Sequence, residues 1–162
     1  MSSVSSPAEK IFTWQDARTW RVARQAQRVV FTNGVFDILH PGHVDVLLAA
    51  RREGDALIVG LNSDESVRRL KGPTRPVRDQ TARAYVLSAL AMVDAVVLFE
   101  QDTPLELIRL LQPDVLVKGG DYDVDSVIGG ADVRARGGRV VIVPLTPGQS
   151  TTSIVQSLRG QD

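Results

Sequence analysis

Residues 32–43 read TNGVFDILHPGH, and this segment decides the fold class. It follows residues 29–31, a short apolar run that is typical of a buried strand. It leads into residues 41–53, where Pro41 suits the first turn of a helix and Gly54 suits a C-terminal cap. We therefore expect a strand, a polar turn and a helix to follow one another here.

The rest of the chain alternates in the same way. Apolar runs predict further strands at residues 56–61, 95–99, 115–117 and 139–143. Amphipathic stretches predict helices at residues 14–27, 79–92, 104–111, 131–136 and 150–158. Strands that alternate with helices favour an α/β fold, in which helices cover both faces of a parallel sheet. We expect a Rossmann-like, doubly wound, five-stranded parallel sheet with strand order 3-2-1-4-5.

The start of the chain has a different composition. Residues 1–6 are rich in serine and lack the basic and apolar segments of a signal peptide. We expect residues 1–13 to be a flexible tail. Residues 14–162 are expected to form a single domain that includes an N-terminal helix.

Composition excludes several classes of function. The chain has 162 residues, of which 43% are hydrophobic and 23% charged, ordinary values for a globular protein. It has no cysteine, which excludes disulfides, thiolate metal sites and cysteine nucleophiles. No apolar run approaches the roughly 20 residues of a membrane span, and a net charge of zero gives no indication of nucleic acid. We expect a cytoplasmic protein that binds neither membranes nor nucleic acid.

One segment of this neutral chain is cationic. Between residues 68 and 83 a single acid, Asp79, accompanies Arg68, Arg69, Lys71, Arg75, Arg78 and Arg83. Such a segment indicates an anionic ligand nearby. The alternative is that each of these cations is a solvated side chain on a helix face.

Unusual polar residues follow several of the predicted strands. They occupy residues 32–43, 62–64, 118–121 and 144–152. In a doubly wound sheet these loops meet at the carboxyl edge of the strands, where ligands bind. The sequence therefore predicts a binding site at this edge.

The two histidines of the chain, His40 and His43, lie in the first of these loops. Three residues apart at a helix start, they are able to face the same way. Gly42 lets a phosphate approach the backbone, and a helix N-terminus attracts anions. Together, the two histidines, Gly42 and the helix N-terminus predict a triphosphate site. The alternative is that the histidines only cap the helix or lie on the surface.

Residues 32–43 also resemble the signature of the cytidylyltransferase-like nucleotidyltransferases, whose two histidines contact the triphosphate. The resemblance extends over about residues 28–159. Within it, residues 54–77, 99–104, 117–122 and 148–152 are similar to the heptose 1-phosphate adenylyltransferase branch. The most specific segments are LKGPTRPV at residues 70–77 and KGGDY at residues 118–122. That branch often has cysteine where this chain has Val35 and Gln149, which we interpret as packing changes.

Taken with the placement of these segments, the resemblance implies a site. It implies catalytic roles for His40, His43 and Lys71. It implies nucleotide contacts for Thr32, Asn33, Gly34, Phe36, Gly42, Arg83, Lys118, Gly119, Ser150, Thr151 and Thr152. It implies sugar-phosphate contacts for Asp37, Gly120, Asp121 and Tyr122. It implies Mg²⁺ as cofactor, held mainly by substrate phosphates and by no set of protein side chains.

Several of these residues have simpler interpretations. We expect Lys71 on the loop after the second strand. The alternative for Lys71 and Arg83 is that both are solvated surface cations. Asp37 suits a turn-forming residue, and Ser150 with its neighbours suits a helix N-cap.

The activity that the resemblance implies is transfer of AMP from ATP to a heptose 1-phosphate. The products are ADP-heptose, a precursor of lipopolysaccharide-type envelope glycans, and pyrophosphate. A heptose-phosphate kinase is expected as a separate protein. The oligomeric state is left open, with a homodimer as one alternative. One alternative is a cytidylyltransferase acting on glycerol 3-phosphate or a related alcohol phosphate. A second is an inactive nucleotide-binding regulatory module, against which the intact His40, His43 and Lys71 argue. A third is a structural interaction domain, in which the polar loops at the sheet edge would have no purpose.

Overall fold

Six parallel strands form one sheet in the computed structural model, which describes residues 5–160. The strands are β1 (Ile11–Phe12), β2 (Val29–Gly34), β3 (Ala56–Asn62), β4 (Ala95–Phe99), β5 (Val115–Gly119) and β6 (Arg139–Val143). Their order is β1-β4-β3-β2-β5-β6. The predicted α/β class and the order of the five predicted strands are confirmed, and a sixth short strand extends the sheet at one edge.

Seven α-helices lie between and after these strands in the described residues, two of them between β3 and β4. They are α1 (Trp14–Val22), α2 (Pro41–Arg52), α3 (Asp64–Lys71), α4 (Gln80–Ser88), α5 (Leu105–Leu111), α6 (Gly130–Ala135) and α7 (Thr151–Arg159). No helix within residues 5–160 has the length and apolar character needed to cross a membrane.

The sequence analysis missed α3, and Lys71 is consequently the last residue of a helix rather than a loop residue. This helix buries only Ser66 and Val67, so it lacks the apolar periodicity of its neighbours. Its signals are at its ends: the Ser63 hydroxyl accepts a hydrogen bond from the Ser66 amide, and acidic residues precede basic ones along the helix dipole. Gly72 ends it with a φ of 95°.

The prediction of a flexible tail over residues 1–13 is wrong for residues 7–12. Pro7–Lys10 forms a 3-10 helix, and β1 pairs with β4 through Ile11 opposite Val96. Lys10 Nζ donates a hydrogen bond to the Val93 carbonyl at 2.9 Å. A run of two apolar residues, Ile11 and Phe12, is too short to predict a strand. In the structure these residues nevertheless pair with the open edge of the sheet as β1. Residues 1–4 of that prediction lie outside the described residues.

The sheet separates two apolar cores. Along β2, Val29 and Phe31 face one core with α1, α5 and α6, while Val30 faces the other with α2 and α4. This alternation follows from the two-residue repeat of a strand. With both faces covered, the sheet leaves its strand ends as the place for a polar site.

Candidate active site

The turn after β2 positions the first site residues. Phe36 has a φ of 46°, in the left-handed region, and its ring lies 5.0 Å from the His43 ring between centroids. A Cβ on Gly34 would lie 2.9 Å from the Phe36 ring. Glycine at position 34 therefore lets the turn close with the Phe36 ring packed beside His43.

The two histidines stack on one another at the start of α2. His40 is the N-cap residue and Pro41 occupies the first turn. Their ring centroids lie 3.8 Å apart, with 25° between the ring planes. Within the described residues, Nδ1 of each histidine is buried and has no hydrogen-bond partner. Two imidazoles with unused hydrogen-bonding capacity thus flank a helix N-terminus, which carries a partial positive charge.

The surroundings disfavour positive charge on these rings and on the nearby lysines. Burial lowers the pKa of His43 to about 4, and the neighbouring His40 and Lys71 add to this effect. Burial also lowers the pKa of His40 and of Lys118. Burial and the adjacent Arg75 lower the pKa of Lys71. An anion placed among these groups would favour their protonated forms, because its negative charge offsets both the cost of burying positive charge and the repulsion between the cations.

These groups line a cavity of about 320 Å³, here called the histidine lobe. Predicted site residues in its wall are Thr32, Asn33, Gly34, Phe36, His40, Gly42, His43, Lys71, Lys118, Gly119, Tyr122, Ser150, Thr151 and Thr152. Loop residues 145–149 contribute Leu145, Thr146 and Gln149, which the sequence analysis did not assign. The structure thus brings together residues of the segments that follow β2, β5 and β6 with the last residue of α3, at one edge of the sheet.

The last of these loops is fixed by local hydrogen bonds. Ser150 caps α7, since its hydroxyl accepts a hydrogen bond from the Ser153 amide at 3.0 Å. Thr146 Oγ1 donates to the Asp45 carboxylate at 2.6 Å, which joins this loop to α2. The N-cap role of Ser150 and its place in the wall of the lobe are therefore compatible.

A second cavity, of about 450 Å³, adjoins the first and is here called the Asp102 lobe. The two lobes share wall residues, among them Asn33, Lys71, Lys118 and Tyr122. The Asp102 lobe also has wall residues absent from the first, including Asn62, Leu70, Asp102, Thr103, Ser126 and Ile128. The sequence analysis assigned none of these a role. The available signal was the family resemblance, because Asn62, Leu70, Asp102 and Thr103 lie in segments that are similar to the heptose 1-phosphate adenylyltransferase branch.

Arg83 does not line either lobe, which corrects its assignment as a nucleotide contact. Its side chain is only 1% exposed. The guanidinium donates to Asp64 Oδ1 at 2.7 Å, to the Val35 carbonyl at 2.7 Å and to the Asn62 carbonyl at 2.9 Å. Arg83 therefore holds the turns after β2 and β3 together from behind.

Asp37 is likewise a structural residue and not the predicted sugar-phosphate contact. Its side chain is 1% exposed and pairs with Arg75 Nε at 2.6 Å. The carboxylate also accepts hydrogen bonds from the Val77 and Arg78 amides. Burial by itself would raise the pKa of Asp37, but the bonds from Arg78, Val77 and Arg75 outweigh it and lower the pKa.

Two further predicted sugar-phosphate residues, Gly120 and Asp121, lie outside the walls of both lobes. Gly120 has a φ of 135°, and a Cβ there would lie 2.6 Å from the Tyr122 ring. Gly120 therefore lets the chain bend so that Tyr122 reaches the shared wall. Lys118 Nζ lies 5.4 Å from the centroid of that ring.

The histidine pair at the α2 N-terminus and the two lysines line one cleft at the carboxyl edge of a doubly wound sheet, an arrangement suited to binding nucleotide phosphates. Residues 31–156 match the family model described as cytidylyltransferase-like. The chain belongs to that family.

Similar proteins agree with this assignment. The bifunctional protein HldE of Gluconobacter oxydans is 60% identical over 136 residues, which cover 84% of this chain and 28% of the relative. The HldE protein of Magnetococcus marinus is 57% identical over 157 residues, covering 95% of this chain and 32% of the relative. The chain thus spans about a third or less of the length of these curated relatives.

Solved structures are similar in fold. The lipopolysaccharide core biosynthesis protein of Thermoplasma volcanium superposes with a TM-score of 0.61 at 29% identity, covering 74% of this chain and 97% of that protein. A pantoate-β-alanine ligase from Francisella tularensis, complexed with beta-gamma ATP and β-alanine, also gives a TM-score of 0.61. At 15% identity, with 92% of this chain and 76% of that one covered, it supports the fold alone.

Proposed function

We propose that this chain transfers the AMP group of ATP to a heptose 1-phosphate, forming ADP-heptose and pyrophosphate. The observation that carries the proposal is the shared wall of the two lobes, in which Lys71 and Lys118 face both cavities. Two anionic substrates, one in each lobe, would bring their phosphates to the same cations. The heptose acceptor is supported by the resemblance of residues 70–77 and 118–122 and by the similarity to the HldE proteins.

The histidine lobe is proposed to hold the triphosphate. His43, with a pKa of about 4, is a neutral imidazole at neutral pH, and it would donate a hydrogen bond to a phosphate oxygen without first adding charge to the cleft. Phosphate oxygens favour the protonated ring and raise its pKa. The rings of His40 and His43 and the α2 N-terminus thereby stabilise the charge that develops on the leaving pyrophosphate.

The reaction needs no general base on this chain. The second pKa of a phosphate monoester is about 6, so the acceptor is largely a dianion at neutral pH. One of its oxygens attacks the α-phosphorus of ATP, and the bond from that phosphorus to the β-bridging oxygen breaks. The electron pair leaves with pyrophosphate. Lys71 and Lys118 bring the two anions together and screen their repulsion, so catalysis is by positioning and electrostatics.

Magnesium is part of this proposal. Within residues 5–160, no three His, Cys, Asp or Glu side chains cluster as a metal site, and Asp37 is committed to Arg75. The proposed substrates supply the phosphate oxygens that Mg²⁺ prefers, and such an ion usually keeps several waters. Such an ion supplies additional neutralisation of the phosphate charge.

The test is a matrix of four nucleoside triphosphates against heptose 1-phosphate and glycerol 3-phosphate, with pyrophosphate release as the readout. We expect release to be fastest with ATP and heptose 1-phosphate, and to require both the acceptor and Mg²⁺. The variant His43→Ala, purified in the same way, controls for contaminating ATPases. Fastest release with CTP and glycerol 3-phosphate would contradict the substrates. No release from any pair, despite nucleotide binding, would contradict the activity itself.

A further inference from the structure

We infer that the Asp102 lobe is the sugar subsite of the acceptor, with Asp102 accepting hydrogen bonds from sugar hydroxyls opposite an apolar wall. The inference rests on the proposed function and identifies the residues that select its second substrate. It replaces the sequence-based assignment of Asp37 and Asp121.

The loop that carries Asp102 is held in a defined position. Arg69 Nε, on α3, lies 2.9 Å from Asp102 Oδ1, and the Ser66 hydroxyl donates to the Gln101 carbonyl at 3.1 Å. Because α3 ends at Lys71, these contacts fix Asp102 relative to the lysine of the shared wall. The Asp102 side chain is still 63% exposed, so its carboxylate is both oriented and open to a ligand.

Three large apolar side chains in the wall of the same lobe are half-exposed. Leu70 is 51%, Tyr122 49% and Ile128 47% exposed, and all three belong to its lining. Exposed apolar side chains gathered around one cavity mark a binding surface. Ligand sites typically combine such a surface with a few polar groups that set orientation.

A sugar ring has the matching chemistry. Its C–H face packs on apolar or aromatic side chains, and its hydroxyl edge donates to a carboxylate. A volume of about 450 Å³ lies within the range of small-molecule sites, about 300–1,000 Å³. Glycerol 3-phosphate presents no ring for the apolar wall. With Lys71 and Lys118 at the junction of the lobes, a sugar in this position has its 1-phosphate adjacent to the histidine lobe.

The first experiment compares Asp102→Ala with Asp125→Ala in steady-state kinetics. Asp125 is a matched control, because it is an exposed acid that pairs with Arg134 and is not part of the lining of either lobe. Loss of a hydrogen bond to a charged group costs about 10- to 100-fold. We expect Asp102→Ala to raise the KM for heptose 1-phosphate by this factor, with the KM for ATP within about threefold of the parent. Asp125→Ala should leave both KM values unchanged.

The second experiment separates direct contact from a change in loop shape. The parent and Asp102→Ala are each assayed with a series of monodeoxy heptose 1-phosphates. At least one missing hydroxyl should lower kcat/KM by about tenfold or more in the parent and have no further effect in Asp102→Ala. Equal losses in both enzymes for every compound would overturn the sugar subsite while leaving the proposed function intact. A parent that releases no pyrophosphate with any heptose 1-phosphate would overturn both.

Discussion

Asp37 Oδ2 accepts a hydrogen bond from Arg75 Nε at 2.6 Å, and this buried pair joins the turn that precedes His40 to the segment that follows Lys71. His40 caps α2, His43 lies in its first turn and Lys71 ends α3. These two helices flank β3 in the chain. The pair therefore connects the two parts of the chain that supply the proposed catalytic residues.

We predict that Asp37→Ala destabilises the protein by about 3–5 kcal/mol, because it leaves the Arg75 guanidinium buried without its partner. The measurement is the free energy of unfolding in urea. Asp132→Ala is the control, since its partner Arg109 is 57% exposed and a surface pair contributes at most about 1 kcal/mol. Equal losses in the two variants would contradict the structural role of Asp37.

Arg83 allows a test that distinguishes a structural cation from a nucleotide contact. We predict that Arg83→Met lowers the melting temperature substantially, because the Asp64 carboxylate and three carbonyl groups lose their donor. The melting temperature is measured without ligand, and ATP affinity by calorimetry near 10 °C. An unchanged melting temperature together with weakened ATP binding would restore the assignment made from sequence.

We predict that His40→Ala and His43→Ala each reduce turnover by about 100- to 1,000-fold, the typical cost of losing a preorganised charge-stabilising donor. Circular dichroism should show the parent's secondary structure in both variants. Steady-state rates within about threefold of the parent for both would show that the stacked rings are not part of the machinery.

Lys71 is predicted to act mainly in the chemical step. A cation at the junction of the two lobes should interact most strongly when charge develops on the α-phosphate. We expect Lys71→Met to lower kcat by about 100-fold with a smaller effect on ATP affinity. Arg68→Met is the matched control, because Arg68 lies on the same helix but forms an exposed pair with Glu65. A comparable loss in the control would indicate a general charge effect.

The lowered pKa of His43 predicts a pH dependence of stability. The ring has a pKa of about 4 in the folded protein and about 6.5 when unfolded, so the unfolded state binds more protons between these values. The free energy of unfolding should therefore fall as the pH drops from about 6.5 to about 4. Urea unfolding of the parent and of His43→Gln across this window measures the effect. An identical slope in the two proteins would contradict the assignment to His43.

Local sequence signals were sufficient for much of the fold and part of the site. Apolar runs identified five strands, and residues 32–43 identified the turn, the start of α2 and the two histidines. These features are readable because strand and helix periodicity and helix capping each depend on residues a few positions apart. The same signals misjudged α3, which has a good N-cap but almost no apolar face.

Tertiary structure alone decided the partners of the charged residues. The Asp37–Arg75 bond spans 38 positions, the Arg83–Asp64 bond 19 and the Arg69–Asp102 bond 33. Whether a charged side chain binds a ligand or supports a loop depends on which groups the folded chain places beside it. A pattern within a few residues carries no information about partners 19 to 38 positions away. The sequence by itself determined the fold class and the histidine turn. Only the packing of distant loops made Asp37 and Arg83 structural and placed Asp102 beside a cavity.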